Sequence, residues 1–354
     1  MPKRWRVDRD RSIRGRANPS PWSASGRLAH MTGAPTARDP GGLPSAIVWN
    51  PARVADMDLR RAVIQDALAR AGWPQPTWYE TTVEDPGHGQ TRDAVENGAR
   101  VVFACGGDGT VMACVGALTG TETALAVLPA GTGNLLAANL GLPDDPAAGV
   151  ALATEMGRRR LDVGVVEGQH FAVMAGMGFD ADLLRATPAR LKARIGVAAY
   201  VWSGLQLLHD RPMRVAIRLD DDPPLFRRAR TVIVGNVGRL QGGIRLLASA
   251  QPDDGQLDVA ILAPRSVAHW IRLAWGLLRR QDRIPRMEVL RARRVRISSD
   301  RPQPRELDGD TIAAARHMEV TVRPGALLLC VPQPDRTPDM AHGAPDEGVT
   351  TPPL

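Results

Sequence analysis

The segment that most limits the fold is Cys105-Gly106-Gly107-Asp108-Gly109-Thr110, set between an apolar run, Arg100 to Cys105, and a helical pattern, Thr110 to Leu118. Glycine weakens helices and strands, so a turn this rich in it serves backbone freedom: positive φ, or close approach of the main chain to something else. The free N–H groups at the helix start face whatever sits in the turn, and a phosphate is the natural occupant. Asp108 cannot be a second phosphate ligand, because like charges repel. It would act through Mg2+ or a water, or hold the glycine loop in shape. Thr110 is placed to cap the helix. Taken alone, the segment also fits a tight turn without any ligand.

The chain repeats the device. Leu128-Pro129-Ala130-Gly131-Thr132-Gly133-Asn134 follows a second apolar strand, Leu125 to Leu128, and opens a helix over Asn134 to Leu140 that Gly141 and Pro143 close. Two such loops on one sheet edge make a phosphate cradle, since ligands of open α/β sheets bind outside the carboxyl ends of the strands. Thr132 or Asn134 would serve as well as a plain N-cap. Upstream, Ala46 to Trp49 reads as a buried strand ended by Asn50-Pro51. A helix capped by Asp56 or Asp58 follows, with Leu59, Val63, Ala67 and Ala71 on one face and Gly72 with Pro74 at its end. Thr77 to Glu80 is a short strand, and the loop Thr81 to Gly89 leads to a helix closed by Gly98. Strands alternating with helices predict a parallel sheet covered on both faces.

From about Leu161 the pattern changes to hairpins: Val163 to Glu167, a turn at Gly168, then Phe171 to Ala175. Met213 to Leu219 and Phe226 to Val234 flank a turn at Asp220 to Pro224, and Met318, Val320 and Val322 alternate with polar neighbours at the strand period. Leu191 to Leu208 and Val267 to Leu278 are amphipathic and predict core-facing helices.

The length of 354 residues leaves room for about two domains. The expected organisation is a disordered basic arm over 1–44, an α/β nucleotide-binding domain over 45–160, a β-rich sandwich domain over 161–331 and a disordered tail over 332–354. Residues 1 to 45 hold nine Lys/Arg against three Asp, so six of the seven net positive charges sit there and the folded part is nearly neutral. That argues against a nucleic-acid surface on the fold. The arm has no apolar h-region, so it is not a secretory signal; it reads as a solvated leader or as a membrane-surface attractor through its arginines, Trp5 and Trp22. The longest mostly apolar stretch, Ile195 to Leu208, carries Ser203 and Gln206 and is short of the roughly 20 residues of a membrane span, so no transmembrane segment is expected. Cys105, Cys114 and Cys330 lack the spacing of a disulfide framework or zinc site, and a reducing cytoplasm fits.

Other motifs are weaker. Gly176 to Ala181 matches a dinucleotide-binding pattern but follows a hairpin strand instead of opening a βαβ unit. There is no P-loop lysine motif and no HExxH. Asp253-Asp254-Gly255-Gln256-Leu257-Asp258 and Leu307-Asp308-Gly309-Asp310 each suit a hairpin turn. In a kinase they would instead orient an acceptor hydroxyl or organise Mg2+.

At these residues the chain resembles the diacylglycerol kinase catalytic-domain family, which includes soluble bacterial lipid kinases, sphingosine kinases and ceramide kinases. The resemblance runs from about Ala46 to Val331. It rests on Asn50-Pro51, Thr81-Thr82, Gly106 to Thr110, Pro129 to Asn134 with Gly141-Leu142-Pro143, Asp162-Val163-Gly164, Gly176 to Ala181, Asp254-Gly255 and Asp308-Gly309-Asp310. It implies transfer of the γ-phosphoryl group of ATP to a lipid hydroxyl such as that of diacylglycerol or a sphingoid base, with Mg2+ as cofactor. The nucleotide would lie between an α/β domain and a β-rich domain. Asn50 to Val54, with Asn50, Pro51 and Arg53, would match the first nucleotide loop and Thr81 or Thr82 the second. Gly106, Gly107, Asp108, Gly109, Thr110, Val111 and Met112 would line the phosphates, joined by Gly131, Thr132 and Asn134. Asp254 and Gln256 match a family Mg2+ site of structural character, and Asp310 stands where the family has its general base, a glutamate.

Two departures stand out. Leu135 occupies a position that is aspartate in many bacterial members, and Asp310 is shorter than glutamate by one methylene, about 1.5 Å. A soluble-metabolite kinase of the NAD kinase type, which shares the GGDG turn, and a non-catalytic lipid- or nucleotide-binding pseudokinase are the competing expectations. Peripheral attachment to the membrane surface from the cytoplasm and a homodimer complete the expectations.

Overall fold

Four parallel strands carry the first half of the fold in the order β2-β1-β3-β4: β1 (Ser45–Trp49), β2 (Thr77–Glu80), β3 (Val101–Gly106) and β4 (Ala124–Pro129). The computed structural model describes residues 42–54, 56–178, 211–238, 246–247, 249–264, 266, 269 and 287–332, all within the unit Gly41–Leu354. The basic arm up to Gly41, the stretch Leu191–Leu208, all of Val267–Leu278 except His269, and the tail beyond Pro332 lie outside them.

The helices between these strands are α1 (Met57–Arg70), α2 (His88–Glu96), α3 (Asp108–Leu118), α4 (Leu135–Leu140) and α5 (Pro146–Thr154). Every residue of β3 and β4 is buried, because helices cover both faces of the sheet. Strand alternation splits them between two cores. Val102, Ala104, Leu125 and Val127 pack with Val111 and Val115 of α3 and Leu136 of α4, whereas Val101, Phe103, Ala126 and Leu128 pack with Ile64 and Leu68 of α1 and Val150 of α5.

The second half is antiparallel: β5 (Arg158–Val166), β6 (Gln169–Phe171), β7 (Met174–Met177), β8 (Met213–Leu219), β9 (Leu225–Ala229), β10 (Thr231–Gly235), β11 (Leu257–Leu262), β12 (Met287–Ala292), β13 (Arg294–Leu307) and β14 (Asp310–Cys330). β14 pairs with β4 in parallel at Leu329 and Leu125, joining both halves in one mixed sheet. The first core continues into Ile233 of β10 and Ala260 of β11, so the halves share apolar packing, while a third core is confined to the antiparallel strands around Val215, Val234, Val259 and Val295.

The expected architecture holds, with local corrections. α1 buries Ile64 and Leu68, and Leu59 is 67% exposed. Residues strictly four apart advance about 40° per step around a helix, so Leu59, Val63, Ala67 and Ala71 cannot share one narrow face. Asp56 stands at the N-cap position of α1, in the left-handed region at φ 50, but makes no side-chain cap bond, and the N-cap of α3 is Gly107, with Thr110 buried in the first turn that follows. Asp58 lies inside the first turn of α1, where it meets the helix dipole instead of capping it. The run Phe226–Val234 is two strands parted at Arg230, and β5 begins at Arg158, earlier than its hairpin pattern suggested. Gly176 is a packing glycine: a Cβ there would sit 2.9 Å from the side chain of Glu306.

Candidate functional site

β3 and β4 end together, with Cys105 opposite Leu128 and Gly106 opposite Pro129, so both glycine loops leave the sheet at one edge. They touch. A Cβ on Gly131 would fall 2.7 Å from the Cα of Gly107, which leaves room only for hydrogen, while one on Gly109 would meet nothing within 4 Å. Asp108 ties the loops: its Oδ1 accepts the Leu135 N–H at 2.6 Å, so a side chain of α3 caps α4. Asn134, at φ 45, folds back instead, accepting the Gly131 N–H at 3.1 Å and donating to the Gly131 carbonyl at 3.0 Å. Thr132 is exposed beside it, Met112 half-buried, and Val111 turned into the core at 4% exposure.

The first loop joins the same edge. The Asn50 N–H donates to the Cys105 carbonyl at 3.1 Å, its Nδ2 to Thr110 Oγ1 at 3.3 Å, and its Oδ1 accepts the Ala52 N–H at 2.9 Å. Pro51 and Arg53 are exposed on the turn that follows. Thr81, bonded through its N–H to Trp49, is 3% exposed and its Oγ1 has no hydrogen-bond partner among the described residues. Thr82 is exposed and accepts the Asp85 N–H. Sequence reasoning missed Arg60, whose guanidinium reaches from α1 to the Pro129 carbonyl at 3.1 and 3.3 Å and to Cys105 Sγ at 3.5 Å. An arginine on a helix surface gives no sign that it will fold back onto a strand end. Burial raises the Cys105 thiol, and Arg60 opposes the shift.

The β-rich half contributes carboxylates. Asp308 and Gly309, at φ 48 and 88, are the two turn residues between β13 and β14, and they place exposed Asp310 at the start of β14, opposite Leu307. Asp308 is buried and accepts three backbone N–H groups: Ala172 at 2.9 Å, Val173 at 3.0 Å and Met174 at 2.6 Å. Burial pushes its carboxyl up to about 7, against those three bonds and with the Asp108 charge adding to the rise. Asp108 is itself raised, chiefly by burial; the N–H groups of Leu135, Asn134 and Asp108 oppose this, and Asp310 adds to it. Asp108 therefore feels Asp310 and Asp308 feels Asp108, across some 200 residues of chain.

The edge fits a nucleotide: the loops meet where no side chain fits, the α3 start is open, and a buried hydroxyl lacks a partner. Asp108, placed where the two loops meet, suits a Mg2+ that arrives with the phosphates.

The Asp254 cluster is different. Asp254 Oδ1 accepts the Gln256 N–H at 3.0 Å, and Oδ2 pairs with Arg291 Nη2 at 2.9 Å. A divalent ion about 4 Å from that guanidinium would meet roughly 8 kcal/mol of repulsion at an effective dielectric of 20. Among the described residues no three His, Cys, Asp or Glu stand together as a metal cage. These residues do not fit a resident magnesium ion.

Residues 50–166 match the diacylglycerol kinase catalytic domain, and residues 173–331 match the YegS C-terminal NAD kinase beta sandwich-like domain. The chain is 34% identical over 256 residues to a protein of Chromohalobacter salexigens named "Probable lipid kinase YegS-like", covering 68% of this chain and 79% of that one. It is 29% identical to the diacylglycerol kinase of Bacillus subtilis, covering 75% of this chain and 88% of the relative. A crystal structure of a diacylglycerol kinase from Bacillus anthracis superposes with a TM-score of 0.68 at 22% identity, over 83% of this chain and 98% of that one, which is a likeness of fold. The chain belongs to the YegS-like lipid kinases of the diacylglycerol kinase catalytic-domain family.

Proposed function

We propose that the protein transfers the γ-phosphoryl group of ATP to the hydroxyl of a lipid such as diacylglycerol or a sphingoid base, met at a membrane surface. The observation that carries this reading is the meeting of the two glycine loops at one sheet edge, where a Cβ on Gly131 would fall 2.7 Å from the Cα of Gly107 and Asp108 ties the loops through the Leu135 N–H. A phosphate cradle of this kind needs a carboxylate for the acceptor hydroxyl, the part we give to Asp310.

The N–H groups of the α3 start, with Gly107, Gly109 and the Gly131 loop, would hold the phosphates, and Asn50 and Thr81 the rest of the nucleotide. Asp108 would bind the Mg2+ that accompanies ATP, an ion that neutralises charge on the transferred group. Asp310 accepts the proton of the lipid hydroxyl as its oxygen bonds to the γ-phosphorus; the bond from that phosphorus to the bridging oxygen breaks and ADP departs. Proton transfer is late in a loose transition state, so Asp310 works mainly by orienting the hydroxyl and tolerates its shorter reach. Leu135 weighs less against turnover than its missing carboxylate implies. Its side chain is 5% exposed in the core, and its backbone N–H is what holds Asp108.

The lipid would be approached from the surface: no helix among the described residues is long and apolar enough to cross a membrane. The test is transfer of labelled phosphate from ATP across a panel of diacylglycerol, monoacylglycerol, ceramide and a sphingoid base in mixed micelles, with NAD as a soluble acceptor. Label in at least one lipid is the expected result. Label in NAD alone, or ATP binding without transfer to any acceptor, would overturn the reading.

A further inference from the structure

We propose that the guanidinium of Arg291 is the resident cation of the Asp254 turn, standing where the family resemblance implies a structural magnesium ion. The inference concerns the β-rich half alone and does not depend on which lipid is phosphorylated.

The turn Asp253-Asp254-Gly255 docks on β5 and β14 through Asp162, which is 2% exposed. Asp162 Oδ2 accepts the Gly255 N–H at 2.6 Å, its Oδ1 accepts the Gly325 N–H at 2.7 Å, and its own N–H donates to the Pro252 carbonyl at 2.7 Å. Asp258, 1% exposed at the start of β11, adds another carboxylate to the same place. Packing four acids, Asp162, Asp253, Asp254 and Asp258, into one junction requires positive charge.

Arg291 meets the requirement by a fork. Its Nη2 bonds Asp254 Oδ2 at 2.9 Å and the Ser249 carbonyl at 2.8 Å, and its Nε lies 3.4 Å from Asp258 Oδ1, which the Ser249 hydroxyl also bonds at 2.9 Å. The β11–β12 register holds Arg291 directly opposite Asp258, so the cation is delivered by the sheet and not by a free side chain. Arg159 of β5 serves the flank, pairing with Asp253 at 2.5 Å. A planar fork that links two carboxylates and a carbonyl from three points of the chain does what a multivalent ion would do there.

The test is thermal unfolding of the full chain without nucleotide, in millimolar MgCl2 and in EDTA. The wild type should melt within about 1 °C in the two buffers, whereas Arg291→Gln should melt several degrees lower in EDTA and recover most of the loss in MgCl2 or CaCl2. Failure of every divalent ion to recover Arg291→Gln would make Arg291 an ordinary ion pair and overturn the proposal. So would a wild-type gain of several degrees in MgCl2 that Asp254→Asn abolishes. If Arg291→Gln does not fold, calorimetric titration of the wild type with MgCl2 decides: heat of saturable binding that Asp254→Asn removes contradicts the proposal, and its absence supports it.

Discussion

Two Asp-Gly turns of the β-rich half look alike in sequence and sit in opposite surroundings. Around Asp254-Gly255, arginines 159 and 291 come within ion-pair distance of the carboxylates and compensate charge locally. Around Asp308-Gly309, Asp308 accepts three backbone N–H groups, and the Asp108 charge adds to the rise that its burial causes. Buried acids that feel one another's charge are held unfavourably, and a bound cation relieves that. The arginine-paired turn braces the fold, and the turn held by backbone N–H groups shares its electrostatics with Asp108 of the first glycine loop.

Changes at Asp108 should break this contrast most severely. Asp108→Ala is expected to lower kcat by about 10²–10³-fold or more, with a stability loss of about 1 kcal/mol from the lost cap on Leu135. Asp108→Asn keeps an acceptor for that N–H and should not restore turnover, because it lacks the charge. Steady-state kinetics alongside thermal melts separate the two effects; near-normal kcat in Asp108→Ala would remove the role.

Gly131→Ala should come next. Its Cβ would fall 2.7 Å from backbone of the other loop, so the cradle must open. Misplacement of about 1 Å can cost roughly 10²-fold, and KM for ATP should rise at least tenfold while the melting temperature changes little. An unchanged KM would mean that the two loops do not hold the phosphates together.

The smallest effect is the pH dependence of folding. Asp308 holds its proton to about 7 in the folded chain, whereas the unfolded chain releases it near 3.9. Its contribution to stability is therefore full below about pH 4 and is lost as the pH rises to about 7. Asp308→Asn should be less stable at low pH, since its amide nitrogen would face the Ala172 N–H, and its melting temperature should vary less over that range. A variant that keeps the full wild-type slope would assign the dependence to other groups.

Local signals made much of this legible. The glycine loops, the strand–helix alternation and the β13–β14 turn depend on neighbours in sequence, and they stand where the pattern put them. Contacts across long separations were not legible: Asp308 with Ala172 to Met174 and Arg60 with Pro129 carry no local signature. Asp108 reads from sequence as either a magnesium group or a loop brace. The brace is visible in its bond to Leu135, and a bound Mg2+ would have to share the carboxylate with that N–H.

The most direct test of the account is the rate at which labelled phosphate passes from ATP to diacylglycerol in mixed micelles, measured for the wild type and for Asp310→Asn. Removing the negative charge while keeping the turn should cut kcat by about 10²–10⁴-fold with little change in ATP affinity. Asp310→Asn turning over lipid at the wild-type rate would contradict the assignment of Asp310 as the base, and with it the reading of the β13–β14 turn as the acceptor side of the site.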